Sequence, residues 1–71
     1  MQDINKAIGQ RIRSQRLAKG LSQEELADSS GLNRSHLGLI ERGESTVTVT
    51  TLQIVGSRLG MSVSALLKGV A

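Results

Sequence analysis

Four times along the chain an apolar residue is followed by a capping Ser, Asn or Thr and, four positions after the cap, by Leu. The sets are Leu21-Ser22 with Leu26, Leu32-Asn33 with Leu37, Val47-Thr48 with Leu52, and Met61-Ser62 with Leu66. Each reads as a helix start. The cap oxygen takes a free backbone N–H, and the residue before the cap packs on the one in the next turn, a hydrophobic staple. The first is reinforced by Ser22-Gln23-Glu24-Glu25, a full capping box. Upstream, Ile4, Ile8 and Ile12 recur at i+4 and mark one more helix, which Gly20 ends in the left-handed region. The pattern predicts helices at about 4–19, 22–29, 33–41, 48–59 and 62–68. Gly43 and Gly60 are expected to close the third and fourth.

The alternation Val47-Thr48-Val49-Thr50-Thr51 has the propensity of a strand. It has no partner strand, and Leu52, Val55 and Leu59 after it are spaced for a helix. Thr48 is therefore read as a cap and the residues before it as loop. No linker, low-complexity tract or repeat divides the chain, so residues 1–71 are expected to form a single domain.

Composition narrows the class. With 71 residues and no Phe, Tyr, Trp or Cys, the core must be aliphatic, and neither disulfide nor thiolate is available. A domain of this size buries only about 60% of its unfolded surface, which makes help from a second subunit reasonable. No signal peptide or membrane span is visible, so the expectation is a soluble, cytoplasmic protein with no membrane partner. A single His and no Cys leave no metal site. The lack of a phosphate loop or of any nucleophile spacing argues against an enzyme, and no cofactor is expected. Nine Lys and Arg against six Asp and Glu give a net charge of +3, the sign suited to a polyanion. The cations crowd between Lys6 and Lys19, whereas Glu24, Glu25 and Asp28 crowd the next helix.

The second and third starts lie eleven residues apart, room for a short helix, a turn and another helix. Ala27 is small where two helices would cross, Gly31 sits in the turn, and Leu26, Leu37 and Ile40 point inward. With Leu37 and Ile40 inward, a helical wheel turns Ser35, Gly38, Leu39 and Arg42 outward and puts Arg34 and His36 on the flanks.

The run from Gly20 to Ala27, then Gly31 to Leu37, then Ile40-Glu41-Arg42-Gly43, then Thr51-Leu52 and Leu59-Gly60 resembles the Cro/repressor-type (XRE) helix-turn-helix domain. The resemblance covers about Ile8 to Leu67. It implies an all-α, compact five-helix bundle, double-stranded DNA as the partner, and a homodimer on a palindromic operator. Small stand-alone members of such a family include controller proteins of restriction-modification systems.

On a helix that enters the major groove, the wheel makes Arg34, Ser35, Gly38 and Leu39 the expected base-reading set, with Arg34 suited to guanine and Leu39 to a thymine methyl. Ser22, Gln23, Arg13, Asn33, Arg42, Gly43, Ser45 and Thr46 are the expected phosphate-binding set. Arg16 and Glu41 match positions that form a partly buried ion pair. Three residues depart from the family pattern: Gly38 weakens the recognition helix, Ser30 stands where an apolar residue is common, and Val47 where a Pro is common.

Ile54, Leu67 and Val70 are left outside the inward set of the last two helices and are the expected dimer interface. There is no room for an effector domain, so no small-molecule effector is expected. Repression by occlusion of promoter DNA is the favoured mode. A protein-interaction module of antitoxin-like type, using the same fold, is the alternative.

Overall fold

A computed structural model describes residues 3–69. Those residues form five helices and no strand: α1 (Ile4–Ala18), α2 (Gln23–Ser29), α3 (Arg34–Glu41), α4 (Val49–Leu59) and α5 (Val63–Leu67). Five side chains cap them at the N-terminus. Asp3, Ser22, Asn33, Thr48 and Ser62 each accept the backbone N–H three residues on, which satisfies one orphan donor per helix. At Ser22 the box is reciprocal, since Glu25 Oε1 accepts the Ser22 N–H at 2.9 Å. Both the Ser22 backbone and its hydroxyl hold the Glu25 carboxyl below the ordinary glutamate range.

The segment read two ways resolves as cap and helix. Thr48 is extended at φ −82 and ψ 160, and Val47 packs half-buried on the core. A lone strand would leave its backbone groups unpaired, whereas the cap starts a ladder at once. The turns after the first four helices each carry a glycine at positive φ, among them Gly31 between α2 and α3 at 68° and Gly43 after α3 at 74°.

Aliphatic side chains from every helix meet in one core, with Ile12, Leu26, Leu37, Ile40, Val55, Leu59 and Leu66 fully buried. Two helical glycines let backbones touch. A Cβ on Gly9 would sit 2.6 Å from the Glu41 carbonyl oxygen and nearer still to that of Ile40, so α1 lies directly on the C-terminal turn of α3. Gly56 receives the Met61 carbonyl in the same way. Two arginines tie helix ends together. Arg11 donates to the carbonyls of Ala65 and Lys68 at the end of α5, and Arg58 Nε donates to Ser29 O at the end of α2, 2.6 Å. Cations at helix C-termini meet the unpaired carbonyls and the negative end of the dipole.

Leu67 is not left outside the bundle as expected; it is half-buried and packs against the core, because α5 lies against both α1 and α4. Ser30, at a position where an apolar residue is common, is buried at 6% exposure and carries a hydroxyl with no hydrogen-bond partner. Val70 lies outside the described residues. No helix is long and apolar enough to cross a membrane.

Candidate nucleic-acid interface

The orientation of α3 is set by polar bonds as well as by the core. Arg16 of α1 is buried, and its guanidinium meets Glu41 at the end of α3 through two bonds, Nε to Oε2 at 2.7 Å and Nη2 to Oε1 at 3.1 Å. Its third nitrogen, Nη1, donates to Leu21 O at 2.7 Å. Gln23 Nε2 of α2 donates to the same Glu41 Oε1 at 3.0 Å. One carboxylate thus joins α1, α2 and α3. The side chains are only 8% and 1% exposed, and a charge pair in that setting holds its geometry because neither partner has water as an alternative.

Beyond Glu41, α3 presents an open groove of about 340 Å³ lined by Gln23, Arg34, Ser35, Gly38, Leu39 and Arg42. Arg34 and Ser35 are exposed on the first turn, and Leu39 forms a wall at 36% exposure. Gly38 lies on the face the wheel gives it, but it is covered. It is buried, because Gln23 and Arg42 fold over it. A Cβ there would stand 3.2 Å from Arg42 Nη1 and 3.8 Å from Gln23 Oε1. Gly38 is the floor of the groove, and no side chain at this position meets a ligand. His36 is exposed on the flank.

Of the expected phosphate set, Gln23 and Arg42 line this groove. In the capping box the Ser22 hydroxyl oxygen accepts from Glu25 N–H at 3.0 Å and the Ser22 N–H goes to Glu25 Oε1 at 2.9 Å, which leaves the hydroxyl its own hydrogen to donate. The backbone N–H groups of Gln23 and Glu24 are also free, as the first turn of any helix leaves them. Asn33 likewise gives Oδ1 to His36 N–H, 3.0 Å, and keeps its amide hydrogens. Arg42 is the C-cap residue of α3, not a loop residue, and pairs with Glu44 at 2.8 Å. Gly43 rests on the first turn of α1, where a Cβ would come within 2.7 Å of Lys6 Cα. Ser45 is half-buried and donates to Thr46 O at 3.4 Å, while Thr46 is exposed. Arg13 is exposed on α1.

Sequence reasoning did not single out Glu44, nor Lys6 beside the Gly43 turn. The spacing Arg42-x-Glu44 was the only available signal for the first. Lys6 is brought to the turn by the α1 to α3 crossing, which a glycine at position 9 could have announced. Among the described residues no three His, Asp or Glu side chains are placed to hold a metal ion.

A family model, HTH_3, described as helix-turn-helix, matches residues 12–66. Control protein C.SmaI of Serratia marcescens is 45% identical over 65 residues, covering 92% of this chain and 77% of that protein. The restriction-modification controller protein C.AhdI from Aeromonas hydrophila superposes with a TM-score of 0.84 at 42% identity, over 87% of this chain and 94% of that one. SinR, the master regulator for biofilm formation, solved in complex with DNA, gives a TM-score of 0.80 at 41% identity, over 84% and 97%. Other curated relatives range widely in length, this chain spanning from 41% to 78% of them. The chain belongs to the HTH_3 family of helix-turn-helix proteins.

Proposed function

We propose that the protein is a sequence-specific double-stranded DNA-binding transcription regulator that lays α3 in the major groove and binds a palindromic operator as a homodimer. The observation that carries this reading is the exposed face of α3. Arg34, Ser35 and Leu39 stand free on a helix whose other side is fixed to α1 and α2 through Glu41. A helix fits the major groove, where base edges differ in donors, acceptors and methyl groups. Arg34 is the candidate for guanine O6 and N7, Ser35 for several base edges, and Leu39 for a thymine methyl. Gly38 serves by letting Gln23 and Arg42 lie flat beneath them.

The N–H groups of Gln23 and Glu24, with the Gln23 side chain, suit one stretch of phosphate backbone. Arg13, Asn33, Gly43, Ser45 and Thr46 suit others, and the net charge of +3 adds attraction without sequence preference. The relatives support a regulatory role: C.SmaI and C.AhdI are named as control and controller proteins, and SinR was solved with DNA. Repression by occupying promoter DNA needs nothing beyond this domain.

Ile54, 40% exposed on α4, offers an apolar contact for a second copy. A dimer joined there would present two α3 helices about 34 Å apart, one turn of B-DNA.

Selection of bound sites from random DNA tests the whole reading. The expected product is two inverted half-sites. On the selected site Arg34→Ala should cost about 1–3 kcal/mol, with little change on random DNA. A selected site without inverted repeats removes the homodimer, and equal losses on both DNAs remove the role of Arg34. If no salt-sensitive DNA binding occurs at any concentration, the protein-interaction alternative takes its place.

A further inference from the structure

Three observations fix where the Arg42 guanidinium lies. As the C-cap residue Arg42 keeps helical angles, φ −84 and ψ −4, so its side chain leans back along the helix toward the N-terminus. One turn earlier, a Cβ on Gly38 would stand 3.2 Å from Arg42 Nη1; the guanidinium occupies the seat that the missing side chain leaves. On its other edge, Nε donates to Glu44 Oε2 at 2.8 Å. Both side chains are more than half exposed, at 58% and 56%, and so open a pair adds almost nothing to stability. Its effect is on position and on charge.

A guanidinium is a planar fork of five donors. Glu44 takes the Nε hydrogen, and among the described residues neither terminal nitrogen has an acceptor within the protein. Those nitrogens lie in the groove beside Arg34, Ser35 and Leu39. The fork could meet a phosphate or a base edge. Glu44 decides between them. A carboxylate 2.8 Å from the guanidinium offsets part of its charge and disfavours a phosphate brought to the same place. A guanine edge is neutral, so the donors remain useful to it while the charge is not needed.

Building on the DNA-binding reading, we infer that Arg42 is a second base-reading residue, and that Glu44 is a positioning residue that biases it toward its seat over Gly38 for a bidentate contact, best matched to guanine O6 and N7. This moves Arg42 out of the phosphate-gripping set. It also gives the α3 face two arginine forks, one on the first turn and one at the end, separated by a little over two turns, about 12 Å of helix.

The test uses the whole chain and end-labelled duplexes: the site selected for the wild type, that site changed at each base pair in turn, and a random duplex, each titrated over a range of salt. Far-UV circular dichroism confirms folding. Arg42→Ala and Arg42→Lys should both weaken the selected site by roughly five- to a hundredfold. The loss should vanish on duplexes already changed at one base pair per half-site, and the salt slope should stay as it is. Glu44→Gln should lower the ratio of selected to random binding, through that same base pair.

The inference is overturned if Arg42→Ala weakens all duplexes alike and flattens the salt slope by about one unit. It is equally overturned if Arg42→Lys binds as the wild type does, or if Glu44→Gln tightens every duplex with base preference unchanged. In each of these cases the wild type still binds its selected site. Failure of the DNA-binding reading itself would show instead as a wild type that binds no duplex.

Discussion

Removing Glu41 should be far more damaging than its single charge implies, and removing its partner as well should restore most of the loss. Glu41→Leu leaves the Arg16 guanidinium in a buried site with one remaining acceptor, the Leu21 carbonyl, and strips Gln23 Nε2 of its bond. Arg16→Met leaves the Glu41 carboxylate, 1% exposed, with only Gln23 to donate to it. A buried charge deprived of its partner costs about 3–5 kcal/mol. The whole domain is worth roughly 4–10 kcal/mol at about 0.05–0.15 kcal/mol per residue, so each single variant should lose a third of its stability or more.

In the double variant no charge is stranded, and two side chains of similar bulk fill the space. Its stability should fall within about 1–2 kcal/mol of the wild type, a coupling of several kcal/mol. Urea denaturation followed by far-UV circular dichroism measures all four corners of the cycle, with the slope m checked for constancy. Single losses below about 1 kcal/mol, or a double variant that costs the sum of the two, would refute the reasoning. The double variant should also be folded yet poor at choosing among DNA sequences, because nothing then holds Gln23 against α3.

Ser30→Ala removes the hydroxyl that is buried without a partner. It should stabilise by about 1 kcal/mol, read as a Tm increase of about 4–8 °C; an unchanged Tm would mean the hydroxyl is satisfied in solution. Gly9→Ala gains about 1 kcal/mol of helix propensity but drives a methyl group into the backbone of Ile40 and Glu41, where overpacking of about 1–3 kcal/mol or more wins. Thermal melting should show a lower Tm; at Gly38, where only flexible side-chain ends are near, the same change should not lower it. Glu25 has a depressed pKa, so its contribution is complete above the unfolded value and disappears as pH falls through the folded one. Stability followed from about pH 6 to about pH 3 should decline less steeply in Glu25→Gln than in the wild type.

What the sequence discloses and what it hides follows from the range of the forces involved. The cap and staple residues act within a few positions, so Ser22, Asn33, Thr48 and Ser62 announce their helices without knowledge of the rest. Gly31 and Gly43 are readable for the same reason. Gly9 and Gly56 read as weak points inside helical patterns, and their purpose emerges only when a backbone from another helix arrives. The wheel turned Gly38 outward correctly as an angle, but it could not show that Gln23 and Arg42 cover it. Arg11 and Arg58 look like solvated surface charges until the C-termini of α5 and α2 are brought to them. Arg42 and Glu44 pair through a turn whose geometry depends on the Gly43 packing against α1.

The joining of three helices at one carboxylate has an evolutionary consequence. Apolar packing has no direction, and exchanges among Leu, Ile, Val and Met in the core change how tightly the bundle holds more than which way α3 faces. Hydrogen bonds do have direction, and those at Glu41 fix that facing. Core residues can therefore drift between lineages without retuning the operator. If the α3 face reads DNA as proposed, new operators can be acquired by changing Arg34, Ser35, Leu39, Arg42 and Glu44 alone, leaving the scaffold as it stands.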